Sequence, residues 1–337
     1  FREARFSRTR HALPAIVERV WASREAAKAE GNAPLSQALK IIMNSFYGVL
    51  GSRGCRFFDA RLASSITLRG HEIMQRTREL IEGKGYTVIY GDTDSTFVWL
   101  GRACEEADAT AIGKALVDHV NAWWRNHLEV EYGLESALEL QFETHYRRFL
   151  MPTIRGTEAG SKKRYAGLVH DPSGKDREVF KGMETVRSDW TPLAQQFQRE
   201  LYRRIFRGEP YRDYVRGYVN AFIEGARGKS LDERLVYRKR LRRRLDDYQR
   251  NVPPHVRAAR LADEYNVQLR RPQQYQNGGW IRYVITLAGP QPLEQLSSNI
   301  DIDHYLTRQL QPVADAILPF VGDDFAALVD RQLGLFG

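Results

Sequence analysis

Two apolar, β-rich runs joined by an acidic turn constrain this chain more than any other feature. Tyr86-Thr87-Val88-Ile89-Tyr90 comes first, Gly91-Asp92-Thr93-Asp94-Ser95 follows, and Thr96-Phe97-Val98-Trp99-Leu100 completes the pattern. Strand formers on both sides of turn formers read as strand, tight turn, strand. The turn then holds Asp92 and Asp94 at the tip of a rigid hairpin. Strands so apolar and aromatic are expected to place the hairpin in a core. Like charges buried together are costly unless a cation or hydrogen bonds compensate them. The pair therefore points to a hard cation such as Mg²⁺, which prefers carboxylates together with substrate phosphates. The alternative for an acidic turn of this kind is a solvated loop tip.

The chain has 337 residues, enough for more than one core. It has no apolar run of about 18 residues, so no membrane span is expected. No secretory leader is visible, and two cysteines, Cys55 and Cys104, make no disulfide framework. Both are expected as buried small apolar residues in a reducing cytoplasm. The first residue is Phe1 rather than Met, which fits a piece of a longer protein. The net charge of +9 is unevenly spread. Residues 226–271 hold 14 Lys/Arg against 6 Asp/Glu, so nearly all the excess sits there. The centre of that window reads Tyr237-Arg238-Lys239-Arg240-Leu241-Arg242-Arg243-Arg244. A solvated helix face explains many basic runs. Clustering on this scale favours a polyanion partner.

No repeat or low-complexity segment stands out. The first 30 residues read as a helix, with Leu13, Ile16, Val17, Val20 and Trp21 at helical spacing. Gly31-Asn32-Ala33-Pro34 is a turn, and Ser36 precedes a second helix reaching about Leu50. Its apolar stripe is Leu39, Ile42, Met43 and Phe46. A third helix over residues 62–82 feeds the acidic hairpin. Residues 111–127 read as helix, residues 137–151 as strands, and residues 163–181 as a hairpin around Asp171-Pro172-Ser173-Gly174. Beyond Pro192, charged amphipathic helices are expected to dominate, interrupted by one strand at residues 281–287. The class is α+β, with an antiparallel sheet and helices on one face. Domain boundaries fall near Gly51 and Val186.

The second helix contains Lys40, Asn44 and Tyr47 at i, i+4 and i+7, hence on one face. A cation, an amide and a phenol in a row suit a phosphorylated nucleoside, the Lys acting as a point charge. An amphipathic helix with a snorkelling Lys is the other reading. Arg24 and Lys28, four apart on the preceding helix, offer a second cationic stripe. The eight His show no metal-ligand spacing, and Trp123-Trp124 reads as core.

Together these segments resemble family B DNA polymerases. Lys40, Asn44, Ser45, Tyr47 and Gly48 meet the family's KxxxNSxYG fingers signature, and residues 90–95 match its YGDTDS palm signature. Ser161-Lys162-Lys163-Arg164-Tyr165 is similar to the KKRY segment that touches primer–template duplex. Residues 181–190, KGMETVRSDW, are similar to the KGxExxRxDW segment leading into the thumb. Pro253-Pro254-His255-Val256, Ala259, Arg260 and Ile281-Arg282-Tyr283-Val284 resemble the thumb itself. The likeness covers essentially the whole chain and is greatest to bacterial members.

The resemblance implies an incomplete right-hand architecture. Fingers would span residues 1–51, palm 52–186 and thumb 187–331, with a tail at 332–337. It implies nucleotidyl transfer from a deoxynucleoside triphosphate to a primer 3′-hydroxyl by two Mg²⁺ ions about 4 Å apart. Asp94 would be a principal metal ligand and Asp92 a less direct one. Arg24, Lys28, Lys40 and Asn44 would hold the triphosphate, and Tyr47 would pack by the nascent base pair. DNA would meet Lys162, Lys163, Arg164, Tyr165, Lys181 and Arg187, and the thumb cations Arg238, Lys239, Arg240, Arg242 and Arg243. Repair or replication-restart synthesis by a nucleoid-associated bacterial enzyme is the expected role.

Two departures matter. The family's other palm signature, DxxSLYPS, is not among these residues and is expected to precede Phe1, as is the exonuclease part. The isolated chain is therefore expected to bind DNA without full activity. Gln141 stands where relatives often carry Glu, leaving Glu143 as the accessory metal candidate. The tail, Gln332-Leu333-Gly334-Leu335-Phe336-Gly337, is similar to the short peptides that dock on sliding clamps, with Gln332, Leu333, Leu335 and Phe336 as contacts. A non-catalytic DNA-binding or clamp-tethering module remains the alternative, and a metal nuclease a further one, although the triphosphate helix has no role there.

Overall fold

The computed structural model describes residues 4–7, 9–153, 162–171, 173–228 and 232–333, with side chains to residue 329. They form two compact units, Phe1–Phe142 and Glu143–Gly337. Both mix helices with antiparallel sheet, so the class is α+β as expected.

The first unit opens with a helical pair, α1 (Leu13–Ala29) and α2 (Ala33–Leu50). Gly31 turns the chain at φ +69°, where a side chain would be strained. Asn32, rather than Ser36, then caps α2, its Oδ1 accepting from the Leu35 N–H at 3.1 Å. Pro34 in the first turn costs nothing, because those N–H groups have no helical partner anyway. No residue of α2 is buried, and Ile41 is 58% exposed. Of the stripe expected to face a core, Ile42 is exposed and Leu39, Met43 and Phe46 are half-buried.

Asp59 starts α3 (Ala60–Glu82) by accepting from the Arg61 N–H at 2.8 Å. The chain continues into β1 (Thr87–Asp92), β2 (Ser95–Trp99) and α4 (Glu106–Tyr132). The core of this unit is Ile81, Leu116, Val120 and Trp124, with Tyr86, Val88 and Val98 of the hairpin packed on it. Trp124 is thus core, as expected, while Trp123 is only half-buried and stacks on His127. The hairpin itself departs from expectation. It does not lie inside a core, because among the described residues β1 and β2 form a two-stranded sheet with one covered face. Ile89 and Trp99 on the strands stay exposed. Cys55 and Cys104 are likewise half-exposed rather than buried.

Residues 137–142 belong to no strand among the described residues. Asn121 of α4 substitutes for a partner strand, donating to the Leu140 carbonyl at 3.0 Å and accepting from its N–H at 2.8 Å. Phe142 then lies on Gly113, where a Cβ would come within 2.3 Å of the ring. Only Tyr146–Leu150 of the expected strand stretch 137–151 is a strand, and it belongs to the second unit.

In the second unit, β3 (Tyr146–Leu150), β4 (Tyr165–His170) and β5 (Asp176–Lys181) form an antiparallel sheet with β4 central. Next come α5 (Pro192–Arg207), α6 (Arg212–Arg227), β6 (Tyr237–Leu241), α7 (Pro254–Gln268), β7 (Gly279–Thr286) and β8 (Gly289–Pro292). The helical turns α8 (Ile302–Tyr305) and α9 (Gln311–Ala314), separated by a π-helical turn, precede α10 (Phe325–Leu333). Phe197, Leu201, Tyr202, Phe222, Ile281, Tyr305 and Leu310 anchor one continuous core.

The expectation of a helical stretch with a single strand after Pro192 is therefore corrected. A second three-stranded sheet, in the order β6-β7-β8, stands there, and the basic run is its edge strand. The period-two signal was present: Tyr237, Lys239 and Leu241 are less exposed than Arg238 and Arg240 between them. Lys and Arg are good helix formers, which hid it.

Candidate functional site

The acidic hairpin has its register closed by Asp92 opposite Ser95. Between them, Thr93 adopts φ +55° and the Asp94 N–H donates to the Asp92 carbonyl at 2.6 Å. That i to i+2 bond is the signature of a γ-turn. A β-branched residue at positive φ is strained, and such strain persists only where its surroundings enforce it. The turn is tight enough that each carboxylate has a hydroxyl beside it. The Thr93 hydroxyl donates to Asp92 Oδ1 at 3.1 Å, and Ser95 Oγ to Asp94 Oδ1 at 3.4 Å. Asp92 is half-buried and Asp94 exposed.

This donor set suits a hard cation. Mg²⁺ is commonly held by one or two carboxylates and completes its shell with waters and phosphate oxygens. Among the described residues, no group of three or more His, Cys, Asp or Glu gathers to form a cage. Glu143, the accessory candidate, is an exposed residue of the second unit, outside any strand.

The first unit, which carries the acidic hairpin, also presents the α1–α2 cations. Lys40 and Asn44 are exposed on α2, and Lys28 is held by Glu25 at 2.7 Å. An exposed ion pair of that kind contributes about 0–1 kcal/mol and yields readily to a competing anion. Arg24 is half-buried, and its Nε has no hydrogen-bond partner. Tyr47 reaches Thr67 of α3, with 2.6 Å between the hydroxyls. Thr67 gives its own proton to the Ala63 carbonyl at 3.0 Å, so Tyr47 is the donor. This contact ties α2 to α3, and nothing in the sequence pattern signalled it.

In the second unit, Lys162 and Lys163 are exposed at the entrance to β4, and Lys181 lies opposite Tyr165 at the end of β5. The three ammonium groups thus share one end of a hairpin. Lys163 has φ +62° and Gly182 φ +60°. A Cβ on Gly182 would sit 2.2 Å from the Lys163 carbonyl oxygen, so only glycine lets the two turns approach. Arg164 points the other way, into an ion pair with Glu184, whose side chain is 5% exposed. Gln198 donates to the second oxygen of Glu184 at 2.8 Å and accepts from the Thr185 N–H at 2.7 Å and from the Thr185 hydroxyl. Arg187 forms a two-pronged pair with Asp189 at 3.0 and 2.7 Å. Those hydrogen bonds hold the Asp189 carboxyl below the usual carboxylate range. Lys239 approaches Asp189 at 3.9 Å, whereas Arg238, Arg240, Arg242 and Arg243 are exposed. Of the expected DNA contacts, Arg164 is thus engaged inside the protein and Arg187, although exposed, is paired with Asp189, whereas Lys162, Lys163, Lys181, Arg238, Arg240, Arg242 and Arg243 are exposed. Gln332 and Leu333 lie at the end of α10, and Leu335 and Phe336 outside the described residues.

Sequence and structure both find relatives for this arrangement. The profile of DNA polymerase family B matches residues 32–319. DNA polymerase II of Escherichia coli (strain K12) is 65% identical over 336 residues, covering 100% of this chain and 42% of that protein. The DNA polymerase of Thermococcus gorgonarius is 27% identical over 315 residues, 89% of this chain and 36% of that protein. Among solved structures, the family B DNA polymerase of Pyrobaculum calidifontis matches with a TM-score of 0.55 at 27% identity, covering 93% of this chain and 39% of the other. The chain therefore spans about two fifths of the length of these relatives.

Proposed function

The chain belongs to DNA polymerase family B, and on that premise we propose that it supplies the triphosphate-binding helices, the acidic palm hairpin and the DNA grip of a template-directed DNA polymerase. Residues 1–51 would serve as fingers, 52–186 as part of the palm and 187–331 as thumb. The polymerase would also need the DxxSLYPS aspartate from other residues. The observation that carries the reading is the presence, in one unit, of a strained turn with two carboxylates and of exposed Lys40 and Asn44 on α2.

In the reaction, the primer 3′-oxygen attacks the α-phosphorus of the triphosphate. The 3′-hydroxyl gives its proton to solvent water as its oxygen bonds to the α-phosphorus, and the bond from that phosphorus to the bridging oxygen breaks, so that pyrophosphate leaves with the electron pair. Asp94 and Asp92 would hold Mg²⁺, which when bound neutralises charge on the attacking and leaving oxygens. Lys40 and Arg24 would balance charge on the leaving pyrophosphate, with Lys28 joining once Glu25 lets it go. Asn44 would position the phosphates, and Tyr47 would exchange its bond to Thr67 for contact with the new base pair. Closure of α1–α2 on a matched pair would provide selection by induced fit. Lys162, Lys163 and Lys181 would grip the duplex backbone, making affinity fall steeply with salt. The setting would be repair or restart synthesis in a bacterial cytoplasm. Among the described residues, no helix is long and apolar enough to cross a membrane.

The test is duplex binding with and without the matched triphosphate and Mg²⁺. The triphosphate is expected to tighten binding, and Lys40→Ala to remove about tenfold of that gain, the value of a charge-assisted hydrogen bond. Binding indifferent to triphosphate, and unchanged by Asp94→Ala, would instead make the chain a non-catalytic DNA-binding module. We also propose a clamp-docking role for the tail. Deleting residues 332–337 is expected to abolish binding to a sliding clamp while leaving duplex affinity unchanged, and clamp binding that survives the deletion discards it.

A further inference from the structure

One face of the β6–β7 pair carries Arg238, Arg240, Trp280 and Arg282, all exposed. The register sets Arg238 across from Arg282 and Arg240 across from Trp280. The Arg238 guanidinium lies 4.7 Å from the centre of the Trp280 ring, a cation–π contact. Arg282 is paired with Glu233. Among the described residues only Arg282 of the three arginines pairs with a carboxylate, and Arg238 and Arg282 sit directly opposite each other, an arrangement that by itself disfavours strand pairing.

Charge on an edge strand blocks pairing with another chain, and β6 is an edge strand. That accounts for Arg238 and Arg240. It does not account for Trp280, which stands on the central strand β7 and is 50% exposed. A polar residue there would serve an edge guard as well. A large aromatic ring among arginines gains from a ligand offering both negative charge and a flat apolar face.

We propose that Trp280, with Arg238, Arg240 and Arg282 around it, is a stacking platform for an unpaired base of single-stranded DNA. The arginines would take the flanking phosphates. A duplex offers phosphates too, but its base faces are closed by stacking on one another, so only a single strand uses the ring. The inference rests on the proposed nucleic-acid role of this unit and adds to it a preference the lysine turn before β4 cannot supply.

Fluorescence anisotropy with a labelled oligothymidylate and a labelled blunt duplex tests it. Trp280→Ala is expected to weaken oligothymidylate binding about tenfold, the usual worth of one stacked base, and to leave duplex affinity unchanged. Trp280→Leu, which keeps apolar bulk without a π-face, should lose as much, and Trp280→Phe should keep most of the affinity. Thermal unfolding verifies that each variant is folded. Equal losses on both probes, or a single-strand affinity that does not depend on Trp280, overturn the inference. If duplex binds normally in that case, only the stacking platform falls. If wild-type protein binds neither probe, the nucleic-acid role of the unit falls with it.

Discussion

Primer extension by a polymerase carrying this chain is expected to fall by about a thousandfold or more when Asp94 is replaced by Asn, with duplex affinity and melting temperature unchanged. The magnitude follows from the chemistry. A metal's charge stabilisation is worth several kcal/mol in the transition state, and each 1.36 kcal/mol is about a factor of ten in rate. The absence of a folding effect follows from the structure. Asp94 is exposed at a hairpin tip, and among the described residues its side chain hydrogen-bonds only the neighbouring Ser95 hydroxyl at 3.4 Å, a contact an amide oxygen also accepts. Removing one of two like charges on a tight turn costs no stability. Single-turnover extension at saturating triphosphate isolates the chemical step. Near-normal extension by the Asn variant would remove Asp94 from the metal site, and the palm assignment of this hairpin with it.

The second large effect is on stability. Arg164→Met is expected to destabilise the second unit by about 3–5 kcal/mol, because it leaves Glu184 charged and buried without its partner. For a unit of this size that is a fall of roughly 10 °C in melting temperature. Gln198 can hydrogen-bond only one Glu184 oxygen, and its own carbonyl is taken by Thr185. The double variant Arg164→Met, Glu184→Leu removes both charges and is expected to recover much of the loss. Differential scanning calorimetry on the three proteins decides it. If Arg164→Met melts like the parent while duplex binding drops, Arg164 acts on DNA directly and the buried pair has no structural role.

These two residues also mark the limits of what the sequence discloses. Asp94 was legible as a turn residue because turn formers between strand formers leave few structures open. Arg164 was legible only as one member of a basic segment. Its engagement with Glu184, twenty residues on, depends on β4 pairing with β5 and on Gly182 letting the Lys163 carbonyl come close. The basic run at residues 237–244 was legible as charge but not as a strand. Its edge position depends on β7, some forty residues later in the chain.

The sequence by itself determined several local elements: the α1–α2 helical pair, the acidic turn, the polar face of α2 and the motif order. Each rests on interactions within a few residues, where propensity, capping and turn geometry act. The tertiary structure alone decided burial and partnership. It opened one face of a hairpin that reads as core and made an edge strand of a run that reads as helix. It also turned Arg164 inward and left Trp280 outward. Such outcomes depend on which distant surface removes a side chain from water, and that is a property of packing between elements rather than of any segment alone.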